Sequence, residues 1–538
     1  MLRSSLLVAT LMTVGASCYE YDPLFCRTPS DCADNGARSF CDQDGQHEGI
    51  ANTCIAPPPS SMGHIELAVP TDTVYAQVNR SVTMPITIER KGIDGDVVIS
   101  VDGLPEGVAA APLTIPRAAE AGALTLSAAE RAPFAVAAVR VEARIDSTAV
   151  QRTLQLEVVG TPGTPDTSFS TDGTRYIDMP LNEGAVMAAF AQGDAVVVAS
   201  SQFGLFRVLP DGTLDRAFGT DGRATFDIAT LGLEEPRVHR AIQDAEGRFS
   251  LIGEAHQPGN FNARRPIVAR FTRDGEIDPA LPPFAMSDED VDVRFSAVAM
   301  GQDGKFLVSG TKRLPDESSF EPFIMRFSAD WRLDNSFHAD RLIMPEADVD
   351  VPGLAFPDGS VLLNHKNQVV KLTATGQIDN AFGDDGAITL PSGSGAPVWT
   401  FAQPTDGSKT LVVGTDAKAI CLWRVRMDGQ VDIDFGDGGR RALPRALDGY
   451  ADAAKVVRED ATGALFGIGR VFGPDLWRVK MFRLEKEGDL DRSFGTNGIA
   501  DDTEWWNITS FAVMGRHRAV AVGFNSAVRG VMIRRFWY

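Results

Sequence analysis

A chain of 538 residues with 44% hydrophobic and 23% charged residues has the balance of a folded protein with sizeable cores, and it exceeds one ordinary domain. Its formal net charge of −21 excludes the basic stripe that a polyanion requires, so nucleic acid is set aside as a partner. Beyond the first 17 residues no apolar run reaches the length needed to span a bilayer.

Residues 1–17 read MLRSSLLVATLMTVGAS: Arg3 is a short positive region, Leu6 to Val14 an apolar run, and small residues lead into Cys18. That is the plan of an export signal, and its apolar run is too short for a permanent span. The VGASC end resembles a bacterial lipobox, with Gly15 where Leu is more typical. The resemblance implies cleavage before Cys18, lipidation of its thiol, and a membrane partner reached through that lipid at the outer membrane or cell surface. The alternative is a plain secretory signal cut nearby, and either reading exports the protein.

Residues 18–62 form a cysteine module. Cys26, Cys32, Cys41 and Cys54 crowd into a stretch with almost no apolar residues, which burial alone cannot fold, so two disulfides are expected. Three pairings are open. A zinc site is the competing reading, but spacings of six, nine and thirteen residues lack paired CxxC knuckles, and no metal site is assigned. DQDG at Asp42 starts like a calcium loop, but the Glu needed at its twelfth position is missing. Weak calcium uptake by acidic loops is the most that follows, and no cofactor is implied. IAPPPSSM, residues 55–62, has the Pro/Ser composition of a semi-rigid linker.

Between residues 63 and 159 the pattern becomes short alternating runs: SVTMPITI, DVVISV, LTLSA, VRVEARI and TLQLEVV. Period-two alternation with turn residues between the runs predicts an antiparallel sandwich. VDGLPEGVAAAPLTIP followed by GALTLSA resembles the immunoglobulin-like modules of bacterial surface proteins, which implies a spacer role.

Residues 160–538 carry one motif seven times. The strong copies are GTPDTSFSTDG at Gly163, GTLDRAFGTDG at Gly212, GQIDNAFGDDG at Gly376, GQVDIDFGDGG at Gly429 and GDLDRSFGTNG at Gly488; decayed copies are GEIDPALPPFA at Gly275 and WRLDNSFHADR at Trp331. The aligned aspartates Asp166, Asp215, Asp278, Asp334, Asp379, Asp432 and Asp491 are 45 to 63 residues apart. That period, with four short strands to each repeat, predicts a β-propeller. In the signature, Asp can cap its own turn, Gly can take positive φ and Phe can wedge into the next repeat. The motif set resembles the delta-60 repeat of bacterial secreted and surface proteins. The chain ends on GVMIRRFWY without a following signature, and TRYIDMP after the first signature can supply the missing fourth strand. The expected fold is therefore all-β: a seven-bladed β-propeller preceded by an immunoglobulin-like β-sandwich and a small disulfide-rich segment.

A second recurrence is a basic residue eight positions before each signature Asp: Arg207, Arg270, Arg326, Lys371, Arg424 and Arg483, with Arg535 in the matching place at the end. Repeated ion pairs across the hairpin are favoured over an anion-binding ring. The seven histidines form no HxH or HExxH pattern, and no GxSxG, Walker or dinucleotide fingerprint occurs. The innermost strands, VMAAFA, VHRAIQ, FSAVAM, PGLAFP, VWTFAQ, AAKVVR and ITSFAV, carry only His239, Arg240, Lys455 and Arg458 as titratable groups, so no catalytic residue is named. Cys421, in a strand pattern, reads as a small buried hydrophobe. The face carrying the loops between second and third strands, and between repeats, is the expected recognition surface. It holds EAHQPGNFNARRP, TKRLPDESSFEP, RVFGPDLW and DDTEWWNI. Arg264, Arg265, Lys312, Arg313, Trp505 and Trp506 are its candidate ligand-binding residues. The reading is a monomeric, non-catalytic binding or scaffold module for a protein or glycan ligand. The alternatives are a propeller hydrolase or lyase, or a purely structural surface protein.

Overall fold

The computed structural model describes residues 40–42, 53–55, 63–178, 186–286, 292–301, 303–313, 320–337, 354–365, 368–390, 398–402, 409–416, 419–443, 451–459, 465–472, 477–502, 507–515, 517–525 and 530–538. Cys18, Cys26, Cys32, Trp505, Trp506 and the export signal lie outside the described residues. Among those described, the one helical element is a 3-10 turn, Ile228–Leu231. The chain divides into two compact units, Met1–Val158 and Val159–Tyr538.

In the first unit, Phe40–Asp42 pairs antiparallel with Thr53–Ile55, and the register sets Cys41 opposite Cys54. The remainder is a β-sandwich. One sheet holds His64–Ala68, Arg80–Lys91, Ala121–Ala128 and Val108–Ala110; the other holds Thr73–Gln77, Thr148–Val159, Val136–Ile145, Val97–Asp102 and Leu113–Ile115. Alternation does the sorting: Met84, Ile86 and Ile88 from the first sheet meet Val139, Val141, Leu154 and Leu156 from the second in one buried cluster.

In the second unit the described strands form seven sheets. The first holds Val186–Gln192, Ala195–Ser200, Gly204–Val208 and Arg223–Thr225, and the second holds Glu234–Gln243, Phe249–Gln257, Asn260–Phe271 and Phe284–Ala285. The innermost strands start at Val186, Glu234, Asp292, Leu354, Val398, Ala451 and Asn507. Those of neighbouring sheets touch from the first sheet to the fourth and from the fifth to the seventh, and Asn507–Met514 returns to touch Val186–Gln192. The fourth and fifth sheets meet through Phe356, Leu362 and Val369 against Val412 and Trp423. Antiparallel sheets packed face to face around an axis, each led by its inner strand, are a β-propeller.

The two ends of the unit share a sheet. Thr174–Asp178 pairs with Gly530–Trp537, Tyr176 standing opposite Met532, beside Arg518–Asn525 and Asn507–Met514. Asp166 NH also donates to the Arg535 carbonyl, and Gly163 NH to that of Trp537. An early segment thus covers an edge that the last strand would leave open.

The seven basic residues and seven aspartates pair one to one, with N···O distances between 2.5 and 3.1 Å. In six copies the partners are eight residues apart; in the seventh, Arg535 meets Asp166 from the opposite end of the unit. In all seven the Asp NH donates to the basic residue's carbonyl. The other carboxylate oxygen accepts from the NH two residues on in six copies, Ala217 and Ser493 among them. Four of the guanidinium groups lie 4.8 to 4.9 Å from the centroid of their signature's Phe ring.

The signatures are also tied to one another. Ser170 NH donates to the Asp211 carbonyl, Gly219 NH to that of Asp274, Gly383 to Asp428, Gly436 to Glu487 and Gly495 to Pro162. The last of these joins the final signature to the residue preceding the first. The opening glycine has φ near +85, as at Gly212 (+84) and Gly488 (+89), which an L side chain adopts only under strain. Trp331 takes that place in the fourth copy at φ +59. Its buried indole stacks on Phe306 with centroids 4.4 Å apart, so aromatic burial offsets the backbone cost.

Asp432 is fully buried and contacts Arg424, Lys409 and Arg426. Burial opposes its charge, but hydrogen bonds from Lys409 and Arg424 outweigh burial and bring its pKa down to about 2. A depressed carboxylate stabilises the fold above its unfolded pKa, and that contribution is lost as pH falls through the folded value. Asp432→Asn is expected to destabilise the propeller by about 3 kcal/mol at pH 7. The gap to the native protein should shrink between about pH 4 and about pH 2, as read by urea denaturation at several pH values.

Candidate functional site

A cavity of about 680 Å³ opens on the face opposite the signature turns. Ser201 and Gln202, from the turn between the second and third strands of the first sheet, form one side; the start of Glu234–Gln243 forms another. The sheets are joined there: Val238 NH donates to the Ser201 carbonyl at 2.8 Å, and Gln202 Nε2 to that of Pro236 at 3.0 Å.

The site is shaped by a bulge. Along the second sheet Arg237 stands opposite Glu254 and Val238 opposite Gly253, and the next pair is Arg240 with Ile252, so His239 has no partner residue. Gly253 permits this, because a Cβ there would collide with the Arg237 carbonyl oxygen. In a regular strand Arg237 and Arg240 would face opposite ways. The extra residue restores them to one side, shared with Glu254. Glu235, before Pro236, takes φ +51, a strained conformation for a non-glycine residue on the cavity wall.

Glu254 sits at the centre, 2% exposed. Its Oε1 receives Arg264 Nη1, and its Oε2 lies 3.3 Å from His239 Nε2. The second contact lacks hydrogen-bond direction, so Oε2 of Glu254 and Nε2 of His239 are both buried without a directed hydrogen bond. Burial pushes the Glu254 pKa up, but the contacts with His239 and Arg264 more than offset it and hold it below the ordinary carboxylate range. His256 lines the cavity two residues along the same strand face. Among the described residues no group of three or more His, Cys, Asp or Glu side chains is placed to hold a metal ion.

Of the four candidate ligand-binding residues among the described residues, Arg264 is the one found in the cavity. EAHQPGNFNARRP is a strand hairpin rather than an irregular loop: Gln257 pairs with Asn260 across a Pro258–Gly259 turn, with Gly259 at φ +74. Arg264 and Arg265 are therefore strand residues, and Arg265, opposite Ala255, lies outside the cavity lining. Lys312 and Arg313 likewise extend the strand Phe306–Arg313, pair with Val293 and Asp292, and lie outside it. Of the innermost-strand titratable groups, His239 and Arg240 contribute to the cavity. Sequence reasoning passes over Glu235, Arg237 and, above all, Glu254. Its signal is its place just after a glycine aligned in other repeats, where the chain elsewhere carries Thr311, Thr415, Arg470 and Phe524. Cys421 is fully buried, as its strand context implies, and its sulfur accepts from Arg440 Nη2 at 3.1 Å.

No protein-family model matches the chain, and no curated protein matches it. Among solved structures, the Dos1 propeller overlaps 67% of this chain and 81% of its own at 10% identity and a TM-score of 0.36. The Nup133 β-propeller domain of Vanderwaltozyma polyspora overlaps 70% and 97% at 9% identity and a TM-score of 0.34. An endo-arabinase from Bacteroides thetaiotaomicron overlaps 70% and 97% at 9% identity and a TM-score of 0.27. The propeller architecture follows from the strand pairing, and these weak overlaps add nothing to it.

The Glu254–Arg264 pair is asymmetric, because the carboxylate side chain is 3% exposed and the guanidinium 28%. Removing the arginine strands a buried charge; removing the glutamate frees a cation that can turn to water. Arg264→Met is expected to destabilise the protein by about 3 kcal/mol at pH 7, and Glu254→Gln by about 1 kcal/mol. The Arg264→Met deficit should shrink on acidification as Glu254 takes up a proton, which thermal denaturation across pH 3 to 7 would reveal.

Proposed function

We propose that this is an exported, lipid-anchored cell-envelope protein whose propeller is a non-catalytic binding module acting through the face opposite its signature turns. In this reading the propeller has seven blades of delta-60 type, the sandwich is an immunoglobulin-like spacer, and Cys18 carries the lipid. The observation that carries the binding role is the polar cavity around Glu254, built on that face from two neighbouring sheets. A regular repeat scaffold that carries a polar cavity at one place is the usual plan of a recognition site.

The hydrolase or lyase alternative has one observation in its favour, the presence of Glu254, His239 and His256 in a single cavity. Against it, a general acid at neutral pH needs a raised carboxyl pKa, and that of Glu254 is lowered. Its carboxylate is held by Arg264 rather than left to move a proton. Capture from envelope extracts and on glycan arrays tests the binding role, comparing the native chain with a variant carrying Arg237→Glu and Arg240→Glu. A ligand held by the native chain and released by the variant is the expected result. Ligands held equally by both would place recognition elsewhere.

The opposition of Cys41 and Cys54 in the ladder supports one of the three disulfide pairings, Cys41 with Cys54 and Cys26 with Cys32. Non-reducing peptide mapping of exported protein is expected to recover those two linked peptides; a Cys32–Cys41 or Cys26–Cys54 peptide would refute the pairing.

A further inference from the structure

Resting on the binding role assigned to this cavity, we propose that its ligand is a zwitterion, an amino acid or short peptide whose free ammonium and free carboxylate are both recognised. The charges on the cavity wall divide into two groups. Glu254 meets Arg264 through one oxygen and His239 through the other, and Arg240 has an interaction of its own, so none of these four calls for a ligand. Glu235 and Arg237 remain. Both are exposed, and neither side chain has a polar partner among the described residues. They carry opposite signs two residues apart on one wall, yet they do not pair with each other.

The backbone at Glu235 is the second observation. A register shift between Glu234 and Arg237 precedes the one at His239, so the seven residues from Glu234 to Arg240 stand opposite the five from Ile252 to His256. Within that first shift Glu235 is held at φ +51 directly before Pro236. Positive φ suits glycine, and a residue before proline prefers extended backbone, so the position is strained twice over. The first sheet holds it there: the Pro236 carbonyl accepts from Gln202 Nε2, and Val238 NH donates to the Ser201 carbonyl. Glycine would relieve the strain, and a glutamate kept in its place on a cavity wall points to a use for the carboxylate.

The two free charges define the ligand between them. A carboxylate accepts from an ammonium, and a guanidinium fork holds a carboxylate through two parallel hydrogen bonds. A simple acid would be repelled by Glu235, a simple amine by Arg237, and a neutral sugar would answer neither charge. A zwitterion answers both. Met187 and Pro236 add apolar wall for a side chain, and about 680 Å³ has room for an amino acid or a short peptide.

The test is calorimetric titration of the full chain with the common L-amino acids, diglycine and trialanine, followed by the N-acetyl and amide derivatives of the zwitterion that binds best. At least one zwitterion is expected to bind, with both blocked derivatives weaker by about tenfold or more. Tighter binding of the free amino acids would assign the site to them, and tighter binding of the peptides to chain ends; both agree with the proposal. Glu235→Gln should bind the parent and its N-acetyl derivative alike, and Arg237→Gln the parent and its amide alike, each with an unchanged thermal midpoint because the side chains are exposed. Glu235→Gly removes the carboxylate and the strain together, so it should lose binding without any fall in the thermal midpoint. No binding of any zwitterion, blocked derivatives as tight as the parent, a Gln variant that binds like the native chain, or a Glu235→Gly variant less stable than the native chain overturns the proposal. If no zwitterion binds but envelope capture is still lost in the Arg237→Glu, Arg240→Glu variant, the ligand class is wrong and the binding face stands. If that variant captures as the native chain does, both readings fall.

Discussion

The propeller depends on a carboxylate held in place by a cation eight residues earlier in the chain. At each turn the signature Asp takes a basic side chain on one oxygen, and in six of the seven copies a backbone NH on the other. Several of these groups are almost wholly buried, including Asp166, Asp432, Arg270 and Arg535. A buried pair of this kind is weak evidence of net stabilisation, since desolvation consumes much of the attraction. Its value here is geometric. A partnered carboxylate cannot move without stranding a charge, so the turn has one conformation and hands the chain to the outer strand at one angle.

Fixing the turn also fixes the neighbour. Arg270 Nη1 donates to the Ala329 carbonyl, Arg326 Nη1 to that of Gly359, and Arg424 Nη1 to that of Lys486, so the cation that closes one turn holds part of the next sheet. The last copy is made from both ends of the unit, with Arg535 and Arg518 sharing Asp166. The pair that shapes each turn thereby also joins the two ends, and the strand pairing of Tyr176 with Met532 continues that junction outward.

This division explains what could be read in the sequence. Signature residues answer to local rules: glycine for positive φ, Asp for the turn it caps, a cation across the hairpin. Their spacing therefore exposes the strand order, including the pairing of the two ends. The decayed copy at Trp331 was harder, because its compensation is an aromatic stack on Phe306 from another strand. The site was legible only in part. His239, Arg240 and Arg264 stand out as charged groups in an apolar pattern, but Glu254 gains its meaning from partners on two other strands. Period-two alternation assigns Arg237 and Arg240 to opposite faces and misses the one residue that reunites them. Lys312 and Arg313 carry the same residue types as Arg264 and Arg265, and residue type alone does not separate strand ends that line a cavity from those that do not.

The bulge shows how a repeat fold can gain a site without changing its scaffold. Inner strands of other sheets carry a register shift at a similar place, between Phe295 and Ala297 and between Ile508 and Ser510, opposite Gly310 and Gly523. The irregularity is therefore a property of the scaffold, which lets each inner strand bend along the axis while the sheet behind it stays paired. In the first, third, fifth and seventh sheets the surplus residue is Met187, Ser296, Trp399 or Thr509. In the second sheet it is His239, and the adjoining strand contributes Glu254 and His256 where other repeats have small or unrelated residues. The chemistry is thus an occupation of a position that the fold already provides. A charged side chain there meets a cavity wall instead of a packed core, and the cost of burying Glu254 is offset by Arg264 within the same sheet.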